Sequence, residues 1–181
     1  MRHDPDNVKA VAELAIEYQD LIIGFDIAGP ELNYLPSMYK DSFLKVKNEG
    51  INITIHAGEG DGVHSIQEAL DNGAKRIGHG VRLIEDISDD NELGPTADHI
   101  LQNNIPLEVC ITSNLHTNMY KNPQDHPISR LHNLGFNISL NTDNRLMSNT
   151  SIENELNVAK AAGIENPTSL LKYSASDSFL N

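Results

Sequence analysis

Five short apolar runs recur along the chain: Leu21–Phe25, Ile51–Ile55, Arg76–Gly78, Ile105–Ile111 and Phe136–Leu140. Each has the length of a buried strand and falls short of a helix. Between them, apolar residues return at helical spacing. Asp4-Pro5 predicts an N-cap with proline in the first turn, followed by Val8, Val11, Leu14 and Ala15. Pro36 opens a second helix around Phe43 and Val46, stopped by Gly50. Val63, Ile66, Ala69 and Leu70 mark a third, ending near Gly73. Pro95 opens a fourth with Ile100 and Leu101, and Pro127 a fifth with Leu131 and Leu134, ending at Gly135. Ser151 caps a sixth with Ile152, Leu156 and Ala159, closed by Gly163, and Pro167 starts a last one with Leu170 and Leu171. Five strand–helix units at a spacing of roughly 25–30 residues predict an α/β fold built from right-handed βαβ crossovers. No linker or low-complexity tract interrupts them, so 1–181 reads as a single domain. The longest irregular stretches, Ile84–Gly94 and Ser113–His126, both follow strands. In such folds those loops carry function.

Composition narrows the partners. A net charge of −13 argues against a nucleic-acid polymer or an anionic membrane, since both repel an acidic surface. It leaves open a nucleoside, which carries no phosphate. No apolar stretch is long enough to span a bilayer, and Met1-Arg2-His3-Asp4-Pro5 is unlike a secretion signal. The single cysteine, Cys110, lies in an apolar run and reads as a buried thiol. It excludes a disulfide framework and fits a reducing cytoplasm.

The chemistry collects at the ends of the apolar runs. Asp26, His56, Glu59, His79 and Asp143 each sit at or just past one, and Thr112-Ser113-Asn114 ends another. Polar groups at the same end of successive parallel strands are the usual layout of an α/β active site. In His56-Ala57-Gly58-Glu59, an imidazole suits zinc, and the glycine lets the chain turn so that Glu59 points back toward it. The alternative is a hydrogen-bonded strand-end histidine and a solvated glutamate. His79, between Gly78 and Gly80, is open to close approach and could orient a water or stabilise an oxyanion; otherwise it is a surface turn residue. Asp143 could complete a His-rich zinc site, although Thr142-Asp143-Asn144 is also ordinary turn and cap chemistry. Gly29 in Gly24–Glu31 allows a backbone amide to reach a ligand, and Asp26, if buried, needs a partner such as a metal-ligating histidine. Gly60-Asp61-Gly62 lacks the lysine of a phosphate loop.

Taken in order, GFDIAGPE, HAGE, RIGHGVR and SLNTDN closely resemble the motifs of the adenosine deaminase family of metal-dependent hydrolases. That resemblance implies a (β/α)₈ TIM barrel with one zinc at the carboxyl ends of its strands. It implies that His56 and Asp143 are zinc ligands and that Glu59 shuttles protons to purine N1 and to the leaving ammonia. It makes His79 the group that positions and stabilises the zinc-bound hydroxide. Gly29 would contact purine N3 and Asn144 purine N7. The remaining histidines (His3, His64, His99, His116, His126, His132) have no family role and read as surface or loop residues. The deaminase design that holds zinc with Cys-x-x-Cys is excluded by the single cysteine.

Two departures qualify the resemblance. Better-known members have an aspartate at the position of Asn144. An asparagine amide donates at any pH, so the contact is kept. The family's first two zinc ligands come from a His-x-His motif on its first strand, and this chain has none. Its five strands correspond to the last five of eight. The expectation is therefore a partial barrel, with the first strands in a missing N-terminal segment, Met1 as readily internal as initiating, and an end near Ser178-Phe179-Leu180 before a customary terminal helix. The complete protein is expected to convert adenosine or deoxyadenosine to inosine and ammonia, with this chain alone inactive. A sibling acting on adenine or AMP, or a non-catalytic fragment or binding module, are the alternatives.

Overall fold

The computed structural model describes residues 2–171 and 178–179. Met1 and Leu180, named above at the chain's two ends, lie outside the described residues. Five parallel strands form one sheet: β1 (Phe25–Ile27), β2 (Ile53–Ala57), β3 (Arg76–His79), β4 (Leu107–Val109) and β5 (Ile138–Leu140), in the order β1-β2-β3-β4-β5. The principal helices are α1 (Pro5–Glu17), α2 (Lys40–Asn48), α3 (Val63–Asp71), α4 (Pro95–Gln102), α5 (Ile111–His116), α6 (Ile128–Asn133), α7 (Arg145–Ser148) and α8 (Ile152–Ala161). A parallel sheet whose order is the chain order is consistent with part of a (β/α)₈ barrel.

Strand alternation sorts the sheet into two unlike faces. Ile53, Ile55, Ala57, Ile77, Leu107 and Val109 are buried together with Phe43, Val46, Ile66, Ala97, Ile100 and Leu131 of the helices. The other face is polar. Asp26 is in register with Thr54 and Thr54 with Arg76; His56 faces Gly78, Gly78 faces Glu108, and Glu108 faces Ser139. Arg76 Nε donates to Thr54 Oγ1 at 3.0 Å and lies 3.4 Å from Glu108 Oε1. In a closed barrel this face is the interior.

Helix ends follow the predicted caps. Asp4 Oδ1 accepts from the Asn7 amide at 3.2 Å, and Ser151 Oγ from the Asn154 amide at 3.2 Å. The Pro36 and Pro167 signals open 3₁₀ turns, Pro36–Tyr39 and Pro167–Leu171, and the first leads directly into α2. Cys110 is buried, as expected. Among the described residues no helix is long and apolar enough to cross a membrane.

Three expectations need correction. The first strand is Phe25–Ile27, not Leu21–Phe25, because only pairing of Phe25 with Ile53 turns Phe25 and Ile27 toward the helices. Leu21 and Ile23, 80% and 56% exposed, precede it, so Asp26 lies within the strand and not after it. The run Ile105–Ile111 divides: the strand stops at Val109, and Ile111 begins α5, where burial suits it as well as a strand would. The stretches Ile84–Gly94 and Ser113–His126 are partly ordered helix. A 3₁₀ turn covers Val81–Asp86, and Asp86 Oδ2 then caps α4 by accepting from the Thr96 and Ala97 amides at 2.9 Å each. α5 and the turn Pro123–Asp125 occupy the other.

Candidate active site

Parallel strands deliver all their carboxyl ends to one rim, where Asp26, His56, Glu59 and His79 approach one another in pairs. His56 is the penultimate residue of β2, and its Nε2 lies 3.7 Å from Asp26 Oδ2 of β1. His79 ends β3, 1% exposed, and its ring crosses the His56 ring edge-on with centroids 4.9 Å apart. Gly78 makes that approach possible: a Cβ there would stand 2.5 Å from His56 Cδ2. His79 adopts φ +63°, in the left-handed region that non-glycine residues seldom enter. Asp143, just past β5, does the same at φ +53° and accepts from Ser113 Oγ at 2.7 Å. Paired strain of this kind collects where surrounding structure holds a side chain to a task.

Glu59 follows β2 on a turn that needs Gly58 at φ +74°, where a Cβ would also collide with Ile66 Cδ1 at 2.5 Å. The turn is held from beneath by Glu31. Its buried carboxylate accepts from the amides of Gly58 (2.6 Å), Glu59 (2.8 Å) and Gly60 (2.6 Å). Arg2, fully buried, braces the same segment by donating to the His56 and Tyr34 carbonyls at 2.6 Å each. Glu59 Oε2 so comes within 3.5 Å of His79 Nε2, and Glu59 Oε1 within 3.4 Å of Asn114 Nδ2.

Burial sets the protonation states. Desolvation, reinforced by the nearby Asp143 charge, pushes the Glu59 carboxyl above its ordinary range, so it takes up a proton more readily. Burial lowers His79 and, with His79 beside it, His56, so both imidazoles favour the neutral form. A neutral ring has a lone pair for a metal. A cleft of about 590 Å³, lined by Pro30, Glu31, Leu32, Glu59, Arg82 and Tyr120 among others, opens above Glu59.

Gly29 follows β1, half-buried, and its backbone lies in the loop beside this cleft's Pro30. Asn144 is exposed and caps α7, its Oδ1 accepting from the Met147 amide at 3.1 Å. Asp143 and Asn144 line a neighbouring hollow with Ser113 and Met147. Arg2, Glu31 and His126 escaped the sequence reading, and Asn114 entered it only as a polar strand-end residue without a role. Glu31 and Asn114 stood inside or at the end of quoted motifs. His126, read as surface or loop, is buried at 3% exposure, with Nε2 3.2 Å from Asn114 Oδ1. Its isolation among polar residues gave no periodic signal.

His56 and Asp143 offer donor types that suit zinc, but a tetrahedral site takes four. Among the described residues no group of three or more His, Cys, Asp or Glu gathers to hold a metal. The donor chemistry fits, while these two donors fall short of the four a tetrahedral site takes.

The adenosine deaminase family profile matches residues 1–173. Adenosine deaminase 1 of Streptomyces coelicolor is 46% identical over 161 residues, covering 86% of this chain and 40% of that protein. Among solved structures, an adenine deaminase from Arthrobacter aurescens superposes with TM-score 0.81 at 21% identity, over 97% of this chain and 55% of the other, a likeness of fold alone. The N6-methyl-AMP deaminase of Arabidopsis thaliana gives TM-score 0.81 at 26% identity, over 99% and 52%. The chain thus spans about two fifths of the length of the curated relatives it matches.

Proposed function

The chain belongs to the adenosine deaminase family, and from that premise we propose that it is the carboxyl-terminal part of a zinc enzyme that hydrolyses adenosine or deoxyadenosine to inosine and ammonia. Membership implies a metal-dependent site in the complete enzyme. The observation that carries the reading is the contact between buried His79 and half-buried Glu59, 3.5 Å apart at the strand-end rim, beside the His56 imidazole.

In this reading His56 and Asp143 hold the zinc together with two donors from an amino-terminal segment that also supplies the first strands. When bound, the zinc supplies Lewis-acid polarisation of the hydrolytic water. Glu59, with its raised proton affinity, protonates purine N1, which makes C6 electrophilic. It then takes one proton of the water whose oxygen adds at C6 and passes it to the amino group as the C6–N bond breaks, and the remaining hydroxyl proton returns to Glu59 as the C6 carbonyl forms. His79 donates from Nε2 to orient that water. Asp26 steadies His56 from 3.7 Å. The Gly29 amide contacts purine N3, and Asn144 Nδ2 donates to N7. The partner is a small nucleoside; the net charge of −13 weighs against a nucleic-acid polymer.

The likeness to an N6-methyl-AMP deaminase supports a second reading, with a purine nucleotide as substrate. The acidic balance weighs against it, since a phosphate needs cationic partners.

The test joins the chain to the amino-terminal part of the Streptomyces relative, with that whole relative as the positive control. The joined protein should bind one zinc and release ammonia from adenosine faster than from adenine or AMP. Glu59→Gln should keep zinc and lose roughly 10²–10⁴-fold or more in turnover. Wild-type turnover in that variant would remove Glu59 from proton transfer, and preference for AMP would select the second reading.

A further inference from the structure

Two buried side chains beside the cleft have no part in the chemistry above. His126 and Asn114, 3% and 0% exposed, connect the turn before α6 to the His79–Glu59 pair. Their hydrogen bonds run in one consistent direction. The Ile128 amide donates to His126 Nδ1 at 3.2 Å, which leaves the proton of a neutral ring on Nε2. That Nε2–H faces Asn114 Oδ1 at 3.2 Å. With its oxygen engaged, Asn114 presents Nδ2 to His79 Nδ1 at 3.2 Å and to Glu59 Oε1 at 3.4 Å. An amide NH₂ has hydrogens to give and accepts none, so His79 Nδ1 must be the acceptor. The His79 proton then sits on Nε2, 3.5 Å from Glu59 Oε2.

We infer that His126 and Asn114 are positioning residues that fix the tautomer of His79 and so aim its Nε2–H at the Glu59 carboxylate and the reacting water. The inference rests on the reading of Glu59 as proton carrier. Its starting point is a backbone amide, whose polarity cannot be reversed, and the two shorter contacts of Asn114 Nδ2, to His79 and Glu59, outrank the 3.8 Å approach to Met119 Sδ for its two hydrogens. Tyr120 packs edge-on against His126, centroids 4.9 Å apart, and closes the relay from the outer side. A second ring nitrogen held by a fixed partner is how an imidazole's working nitrogen is selected.

The test reads the tautomer directly, from ¹⁵N spectra of the histidine-labelled chain at alkaline pH. Magic-angle spinning of sedimented protein makes the measurement independent of association state. His79 signals are those lost in His79→Gln. The wild type should show a bare Nδ1 and a protonated Nε2. Asn114→Asp keeps the shape and still accepts from His126, but offers only oxygens; His79 Nδ1 should then gain a proton. His126→Gln, whose amide can donate to Asn114, should retain the wild-type tautomer, and His126→Leu should give a mixture. A protonated Nδ1 in the wild type, or an unchanged bare Nδ1 in a natively folded Asn114→Asp, overturns the inference. Should Asn114→Asp not fold, identical tautomer populations in His126→Gln and His126→Leu overturn it instead. In the joined enzyme Asn114→Asp should lose roughly 10²–10⁴-fold in kcat, the scale of a misplaced catalytic proton, with KM and zinc content unchanged. Because the tautomer is read without turnover, lack of deaminase activity would refute the proposed function and leave the relay standing.

Discussion

Burial, with His79 as a further cause, pushes the His126 imidazole down to about 3. The groups that face it are Asn114, Tyr120 and His79. An unfolded chain would hold the ring near its ordinary value of about 6.5. The unfolded state therefore binds the extra proton between those values, and stability falls as pH drops below about 6.5 toward 3. His126 alone should cost about 2 kcal/mol by roughly pH 5. Urea unfolding at neutral and mildly acidic pH should show this loss in the wild type and a shallower one in His126→Gln; equal slopes would mean that the ring is not held neutral. Single residues also separate holding zinc from using it. His56→Ala and Asp143→Ala should lose the metal in the joined enzyme, whereas His79→Ala should keep it and turn over slowly. Full zinc occupancy in His56→Ala, by elemental analysis, would contradict its place as a ligand. Asn144 can be tested with the substrate: replacing N7 of adenosine by carbon should cost about 1–3 kcal/mol in kcat/KM, because the amide loses its acceptor. Equal values for the two nucleosides would remove Asn144 from the site.

Among the elements, the turn after β2 is the most heavily constrained. Three successive amides converge on the Glu31 carboxylate, an arrangement a neutral amide cannot reproduce, since Gln has one oxygen. Glu31→Gln should destabilise the fold by about 1–3 kcal/mol and displace Glu59. A change within about 0.5 kcal/mol in urea unfolding, the range of an ordinary surface substitution, would show that water serves those amides as well. The sequence announced this turn through Gly58 but not its anchor, because Glu31 lies 28 residues before Glu59 and nothing local marks the pair. The same limit governed the strands. Apolar runs located all five, yet bounds moved by two to four residues at β1 and by two at β2, β4 and the start of β5. Which residues of a run pair is decided by the neighbouring strand's register, and β1 takes its own from Ile53. Helices whose caps are local, at Asp4 and Ser151, began where the sequence placed them. The short α5 and α7 lacked room for a periodic signal.

For the molecule as a whole, β1 and β5 are the outer strands of the described sheet, and each has one side that a closed barrel would pair. Two copies joined edge to edge would give ten strands, where a (β/α)₈ barrel has about eight. The chain by itself should therefore associate, bind zinc weakly and not deaminate adenosine. A monomer in sedimentation velocity, with stoichiometric zinc and steady inosine formation, would overturn this expectation and point to other donors. The identity of sheet order and chain order has a further consequence, for the time course of assembly. Each strand's partner is the strand synthesised just before it: Phe25 meets Ile53, and Leu107 meets Ile138. The pairings close loops of 22 to 31 residues, from Thr54–Arg76 to Leu107–Ile138, and closure entropy grows only slowly with length. A nascent chain can thus add one strand and one helix at a time as it leaves the ribosome, without waiting for a distant segment. The rim of ionisable side chains is then assembled from one flank to the other in order of translation, with Asp143 arriving last.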